Sequence, residues 1–186
     1  MTQRVWDSFL TEQDQAHLAL TGRKPVGFGE KPALLLVDLY RWVFGDDPEP
    51  LLEGIKTWPS SCGLAAWDAI PHIQTLLQAV RNAGIPVIHM TGLDGCGVEG
   101  WSTRKGDRRP VDTDPAAADR RSREYDIIDE VAPIDGEAFL RKSSPSSFWG
   151  TPLAGHLNYL GVDTIITVGE STSGCVRASV VDGCTN

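Results

Sequence analysis

The sequence predicts an α/β protein: a mainly parallel sheet with helices on both faces, in three αβα layers. Three observations carry that prediction. Pro32-Ala33-Leu34-Leu35-Leu36-Val37 is an apolar run without alternation, the pattern of a strand covered on both faces. Ile70, Ile73, Leu76, Leu77 and Val80 recur at helical spacing within residues 67–83, and a second apolar run, 85–90, follows at once, so strand, helix and strand make one right-handed βαβ unit. Residues 162–179 combine a β-branched run over 164–168, a turn of small residues and a segment that can continue as a helix.

The remaining elements follow in order. Residues 1–30 are polar and read as an N-terminal arm, in which Thr11-Glu12-Gln13-Asp14 is a capping box for a short helix ending before Gly22. Residues 40–63 form a long connection whose aromatics, Trp42, Phe44 and Trp58, either wall a small pocket or pack the loop down. Residues 91–123 are the least regular stretch. They hold the basic cluster Arg104, Lys105, Arg108 and Arg109, which is either a solvated loop or a lid able to hold a substrate carboxylate. Residues 125–131 read as a short edge strand or a turn, and 137–142 as the third strand, ending at Lys142. Thr151 at N-cap and Pro152 at N1 start a helix lined by Leu153, Leu157 and Leu160 and closed by Gly161.

Composition narrows the function classes. The chain has 186 residues, 41% hydrophobic and 23% charged, which suits one globular domain with a sizeable core. A net charge of -8 argues against nucleic acid or an anionic membrane as the main partner. Arg4, Asp7, Glu12 and Asp14 interrupt any signal-peptide layout, and no run approaches a membrane span, so a cytoplasmic protein is expected. Cys62, Cys96, Cys175 and Cys184 form no Cys-x-x-Cys pair and are expected to be free thiols. His17, His72, His89 and His156 have no metal-ligand spacing, and His89 reads as structural.

Three residues with chemistry to offer end three similar apolar segments: Asp38, Lys142 and Cys175. If those segments are neighbouring parallel strands, the three side chains meet at the carboxyl edge of the sheet, where ligands of open α/β sheets bind. An acid, a cation and a thiol are what an activated cysteine nucleophile requires. Each also has a plainer reading. Asp38 is a cap for the following segment, and Cys175 is a buried structural thiol. At a helix N-terminus, Cys175 is expected to ionise more easily than a free thiol.

Taken together, Ala33-Leu34-Leu35-Leu36-Val37-Asp38, Lys142 with Ser146-Ser147-Phe148-Trp149-Gly150-Thr151-Pro152-Leu153, and Gly169-Glu170-Ser171-Thr172-Ser173-Gly174-Cys175-Val176-Arg177-Ala178 resemble the isochorismatase-like cysteine hydrolases, the group of nicotinamidase and N-carbamoylsarcosine amidase. The resemblance runs from about residue 30 to the end and implies their three-layer fold with a mainly parallel, Rossmann-like sheet. It implies a catalytic triad of Asp38, Lys142 and Cys175. It also implies a non-proline cis peptide at Glu170–Ser171, in a turn with Thr172 that aims the Ser171 and Cys175 N–H groups at an oxyanion. Phe44, Trp101 and Arg104 are the expected substrate contacts. Nicotinamidases carry an Asp-x-His metal motif after the first block. Residues 45–67 contain no histidine, so neither a metal nor another cofactor is expected. Cys175 argues against vinyl-ether chemistry, and Ser-Thr-Ser-Gly-Cys-Val-Arg-Ala is most similar to the N-carbamoylsarcosine amidase branch.

The expected activity is cysteine-dependent hydrolysis of a small amide or N-carbamoyl (ureido) acid with release of ammonia. A maleamate- or nicotinamide-type amidase, or a non-catalytic family member that binds a small molecule, is the alternative. In the family the helix after the cysteine is followed by a further strand and a closing helix. The domain over 31–186 is therefore expected to lack these, and to be completed by a separate C-terminal segment or covered by a partner subunit of a homo-oligomer, dimer or tetramer.

Overall fold

The computed structural model describes residues 5–22, 27–93 and 114–186. Four parallel strands, β1 (Pro32–Val37), β2 (Val87–Gly92), β3 (Ala138–Lys142) and β4 (Thr164–Gly169), form one sheet in the order β3-β2-β1-β4. Val37 lies opposite Met90 of β2 and Gly169 of β4, and Gly92 lies opposite Lys142 of β3, so the carboxyl ends of all four strands share one edge. The helices are α1 (Glu12–Thr21), α2 (Arg41–Phe44), α3 (Leu51–Thr57), α4 (Leu64–Asn82), α5 (Pro115–Arg123), α6 (Leu153–Leu160) and α7 (Arg177–Gly183). Among the described residues no helix is long and apolar enough to cross a membrane.

β1 shows why an unbroken apolar run becomes a central strand. Successive side chains point to opposite faces, and here both faces are covered. Leu34 and Leu36 join Ile70, Leu77 and Val80 of α4 in one core. Ala33, Leu35 and Val37 join Leu153 and Leu157 of α6 in the other. Removing one such leucine side chain from water is worth about 1.5–3 kcal/mol, and β1 carries three of them, all buried. β4 has a neighbour on one side only, and all six of its residues are half-buried.

Several boundaries differ from the sequence reading. α4 starts at Leu64, three residues before the expected 67. β2 starts at Val87 rather than 85, because the Ile85 N–H bonds back to the Val80 carbonyl and belongs to the end of α4. α6 starts at Leu153 with Pro152 as its N-cap, one residue later than expected; the Thr151 hydroxyl still accepts the Leu153 N–H at 3.3 Å. Residues 125–131 form a turn with an isolated Tyr40–Ile127 bridge, and their apolar side chains Ile128 and Val131 are buried against α4. The stretch 91–123, the least regular in the sequence, ends in helix α5, for which Asp114 at N-cap and Pro115 at N1 are the start signal. The Thr11–Asp14 capping box of α1 is present.

One polar network is built into the α4 side of the sheet. His89, fully buried on β2, stands 2.8 Å from Glu137 through Nε2, and Glu137 receives Arg81 of α4 through Nε and Nη2, at 2.7 and 2.9 Å. The Ile134 N–H donates to the same carboxylate. A carboxylate only accepts, so His89 is the Nε2–H tautomer, and its Nδ1 has no partner among the described residues. Burial keeps His89 below its ordinary value against the pull of Glu137. Burial alone would raise Glu137, but the bonds from Arg81, Ile134 and His89 hold it down at about 2. A carboxylate depressed in the folded state stabilises above its unfolded value and loses that contribution as pH falls. Glu137→Ala is therefore expected to cost about 2 kcal/mol at pH 7. The gap to the wild type should narrow as pH drops from about 4.5 towards 2. Chemical denaturation across that range measures it; a gap independent of pH would contradict the assignment.

Candidate active site

Asp38 is the first residue beyond β1 and adopts φ 58, in the left-handed region that few residues other than glycine enter. Its N–H donates to the Met90 carbonyl at 2.9 Å, which ties the kink to the end of β2. Asp38 is fully buried. Non-glycine residues in this conformation concentrate at functional sites. A carboxylate here needs a partner, and Lys142 supplies it: Nζ lies 2.7 Å from Asp38 Oδ2, with 5% of the lysine side chain exposed. The same Nζ lies 3.3 Å from Cys175 Sγ.

Cys175 is delivered by the end of β4. An added Cβ on Gly169, at φ +138, would stand 2.0 Å from the Val37 carbonyl oxygen, so only glycine lets β4 close this tightly on β1. The Glu170 N–H then donates to that same carbonyl, and the Glu170–Ser171 peptide is cis. Residues Thr172–Val176 form a wide π-type turn, interrupted at Gly174 by non-helical angles, before α7 begins at Arg177. The structure thus brings Asp38, Lys142 and Cys175 together at the carboxyl edge, with the cis turn Glu170, Ser171 and Thr172 beside them.

One expectation changes. The sequence places Cys175 at a helix N-terminus with an easily ionised thiol. Cys175 instead sits in the turn ahead of a seven-residue helix. Burial and the Asp38 carboxylate push it up to about 11 against the pull of Lys142. Burial and Asp38 thus favour the thiol form, and Lys142 favours the thiolate. Burial and then Glu170 also raise the Cys62 thiol.

Phe44 is 4% exposed, packs edge-on against Trp67 with ring centroids 5.8 Å apart, and belongs to the α4 core. Trp42 and Trp58 wall a cavity of about 180 Å3 with Arg120 and Arg121 of α5. Trp101, Arg104, Lys105, Arg108, Arg109 and Cys96 lie outside the described residues. Among the described residues, no three His, Cys, Asp or Glu side chains form a group able to hold a metal ion. The sequence reading passed over Ser147 and Ser179, both buried and bonded to each other. The only signal for Ser179 is its spacing of four residues from Cys175.

The chain has relatives that share this arrangement of elements. The isochorismatase domain family matches residues 33–186. Maleamate amidohydrolase of Pseudomonas putida is 34% identical over 166 residues, 84% of this chain and 67% of that protein. N-carbamoylsarcosine amidase of an Arthrobacter species is 30% identical over 171 residues, 86% of this chain and 56% of that protein. This chain therefore spans 67% and 56% of the length of these two curated relatives. A crystal structure of a cysteine hydrolase from Pseudomonas syringae superposes with a TM-score of 0.69 at 25% identity, covering 89% of this chain and 72% of that one. Its parallel sheet, its helices on both faces and the match over residues 33–186 make the chain a member of the isochorismatase family.

Proposed function

We propose that this chain is a cysteine-dependent amidohydrolase that cleaves the C–N bond of a small amide or N-carbamoyl (ureido) acid and releases ammonia. The observation that carries the reading is the Cys175 sulfur 3.3 Å from the buried Lys142 Nζ, which itself stands 2.7 Å from the Asp38 carboxylate. The names of the two curated relatives, both amide hydrolases, support it.

In this reading Asp38 accepts the Cys175 proton as Sγ attacks the substrate carbonyl carbon, while Lys142 stabilises the forming thiolate. The new S–C bond pushes an electron pair onto the carbonyl oxygen, which the Ser171 and Cys175 N–H groups receive. One such donor is typically worth about 3 kcal/mol. The oxyanion collapses, the C–N bond breaks, and Asp38 returns its proton to the departing nitrogen as ammonia. A water then gives a proton to Asp38 and attacks the thioester, the C–S bond breaks, and Asp38 returns that proton to sulfur to restore the thiol. A carbamoyl acid treated this way leaves a carbamate that loses carbon dioxide. The residues require neither a metal nor an organic cofactor for these steps. The substrate carboxylate is assigned to Arg104, with Trp101 as a further contact, and a cytoplasmic homo-oligomer is the proposed state.

Ammonia release across a panel of small amides and ureido acids tests the reading directly. Cys175→Ala is expected to abolish turnover with the fold intact by circular dichroism, whereas Cys62→Ser and Cys184→Ser retain it; an active Cys175→Ala enzyme would end the cysteine mechanism. Asp38→Asn separates the two roles of the carboxylate. It should slow hydrolysis about a hundredfold to ten-thousandfold, yet speed alkylation of Cys175 by iodoacetamide, because removing the negative charge lets the thiol ionise at lower pH. Slower alkylation in that variant would show that Asp38 does not hold the proton on sulfur. Arg104→Ala is expected to raise KM with little change in kcat, which steady-state kinetics on the best substrate of the panel would reveal.

A further inference from the structure

Two of the three triad side chains, Lys142 and Cys175, come from opposite ends of the described sheet. Lys142 ends β3 and Cys175 follows β4, and these strands are the two ends of the order β3-β2-β1-β4. Three strand spacings amount to about 14 Å. Lys142 is held by the ladder opposite Gly92, and its side chain reaches the thiol. The ladder ends before the segments that follow Lys142 and Gly169, where Ser147 and Ser179 stand.

A buried pair of hydroxyls joins them. Ser147 lies five residues beyond Lys142 and is fully buried; Ser179 lies in α7, four residues beyond Cys175, and is 1% exposed. The Ser147 N–H donates to Ser179 Oγ at 2.9 Å, Ser179 Oγ lies 2.7 Å from the Cys175 carbonyl oxygen, and the two hydroxyl oxygens are 2.9 Å apart. A hydroxyl has one proton and a carbonyl only accepts, so Ser179 donates to Cys175 and Ser147 donates its hydroxyl proton to Ser179. Ser179 Oγ then receives two hydrogen bonds and gives one. On the other side, the Thr151 hydroxyl donates to the Ser147 carbonyl at 2.5 Å, which ties the link to the start of α6.

Ser179 shares its cavity wall with the apolar Leu35, Phe148, Leu157 and Ile165 and with the polar Asn158 and Thr167. Alanine would fill nearly the same space, forms helix better than serine, and brings no hydroxyl to desolvate. A buried pair of serines in this place makes sense as a fixed, directional tie, because a buried hydrogen-bond network locks geometry more sharply than apolar contact does.

We propose that the Ser147–Ser179 pair is a positioning device that sets the separation of Lys142 Nζ and Cys175 Sγ; as a statement about the nucleophile, it rests on the amidohydrolase reading. Both hydroxyls are engaged within the protein, so they act through the triad and not on substrate.

The test reads the thiol and needs no substrate. The rate of iodoacetamide labelling of the Cys175 peptide is followed by mass spectrometry from pH 6 to 11 in the wild type, Ser147→Ala, Ser179→Ala, Ser179→Thr and the double alanine variant, each also combined with Lys142→Met. Ser179→Ala is expected to slow labelling at pH 7.5 about tenfold, the profile moving about one unit towards alkaline pH. Ser179→Thr, which keeps the hydroxyl, should recover the wild-type profile. With Lys142→Met present, Ser179→Ala should add nothing. A Ser179→Ala profile that superposes on the wild type, even with a lowered melting temperature, would make the pair purely structural and overturn the proposal. So would a shift that persists undiminished with Lys142→Met. If Ser179→Ala does not fold, Ser147→Ala, which removes one hydroxyl and leaves the backbone donor, is read by the same criteria with a smaller expected shift. A shifted profile in a protein that hydrolyses nothing in the amide panel would refute the amidase reading and leave the positioning role standing. Hydrolysis with an unshifted profile would do the reverse.

Discussion

A lysine ammonium held between a carboxylate and a thiol is the interaction on which the rest of this fold depends. Taking Asp38 and Lys142 out of water is costly, and their attraction offsets that cost only if their geometry is rigid. The fold supplies rigidity in two ways. β1 is packed on both faces, so Asp38 leaves a strand that has no freedom to shift. Its own backbone is fixed at φ 58 by the bond to Met90. Lys142 ends β3 in register with Gly92, and its carbonyl receives the Leu93 N–H, so the lysine backbone is clamped to the strand beside it.

The electrostatics of the thiol follow from the same contact. Lys142 favours the thiolate, while burial and Asp38 favour the thiol, and the second pair prevails in the resting state. A nucleophile activated by a neighbouring base at the moment of attack needs this balance, because a thiol that is already ionised offers the base nothing to accept. In the proposed reaction the cation serves the charged species formed along the way more than the resting one, which is the differential stabilisation that catalysis demands.

Polar groups on the two faces of the sheet divide the work. On the α4 face, His89, Glu137 and Arg81 fasten the start of β3 to the middle of β2 and the last turn of α4, and each charged group there is matched inside the protein. On the α6 face, Ser147, Ser179 and Thr151 fasten the segments that leave β3 and β4. β3 is thus tied at both ends by buried hydrogen bonds, although it borders the sheet and four of its five residues are not buried. An edge strand with so little apolar burial needs such ties to hold Lys142 still.

The strands, the principal helix and the candidate triad were legible in the sequence because each has a local cause. An unbroken apolar run is a doubly covered strand, a 3.6-residue period is a helix, and Asp38, Lys142 and Cys175 each end or follow an apolar run. Boundaries slipped where a cap or a returning hydrogen bond decided them, as at Ile85 and Pro152, since such bonds depend on atoms that a hydropathy pattern does not see. The thiol's protonation could not be read from sequence. A helix start is a local feature that predicts a lowered value, whereas the burial of Cys175 and the approach of Asp38 come from segments 137 residues apart in the chain. The core position of Phe44 and the Ser147–Ser179 tie likewise exist only once distant segments pack. Sequence determined which residues have the chemistry and which strand ends present them; tertiary structure decided how far apart they stand and which of them keeps the proton, because distance and desolvation are properties of the packed chain.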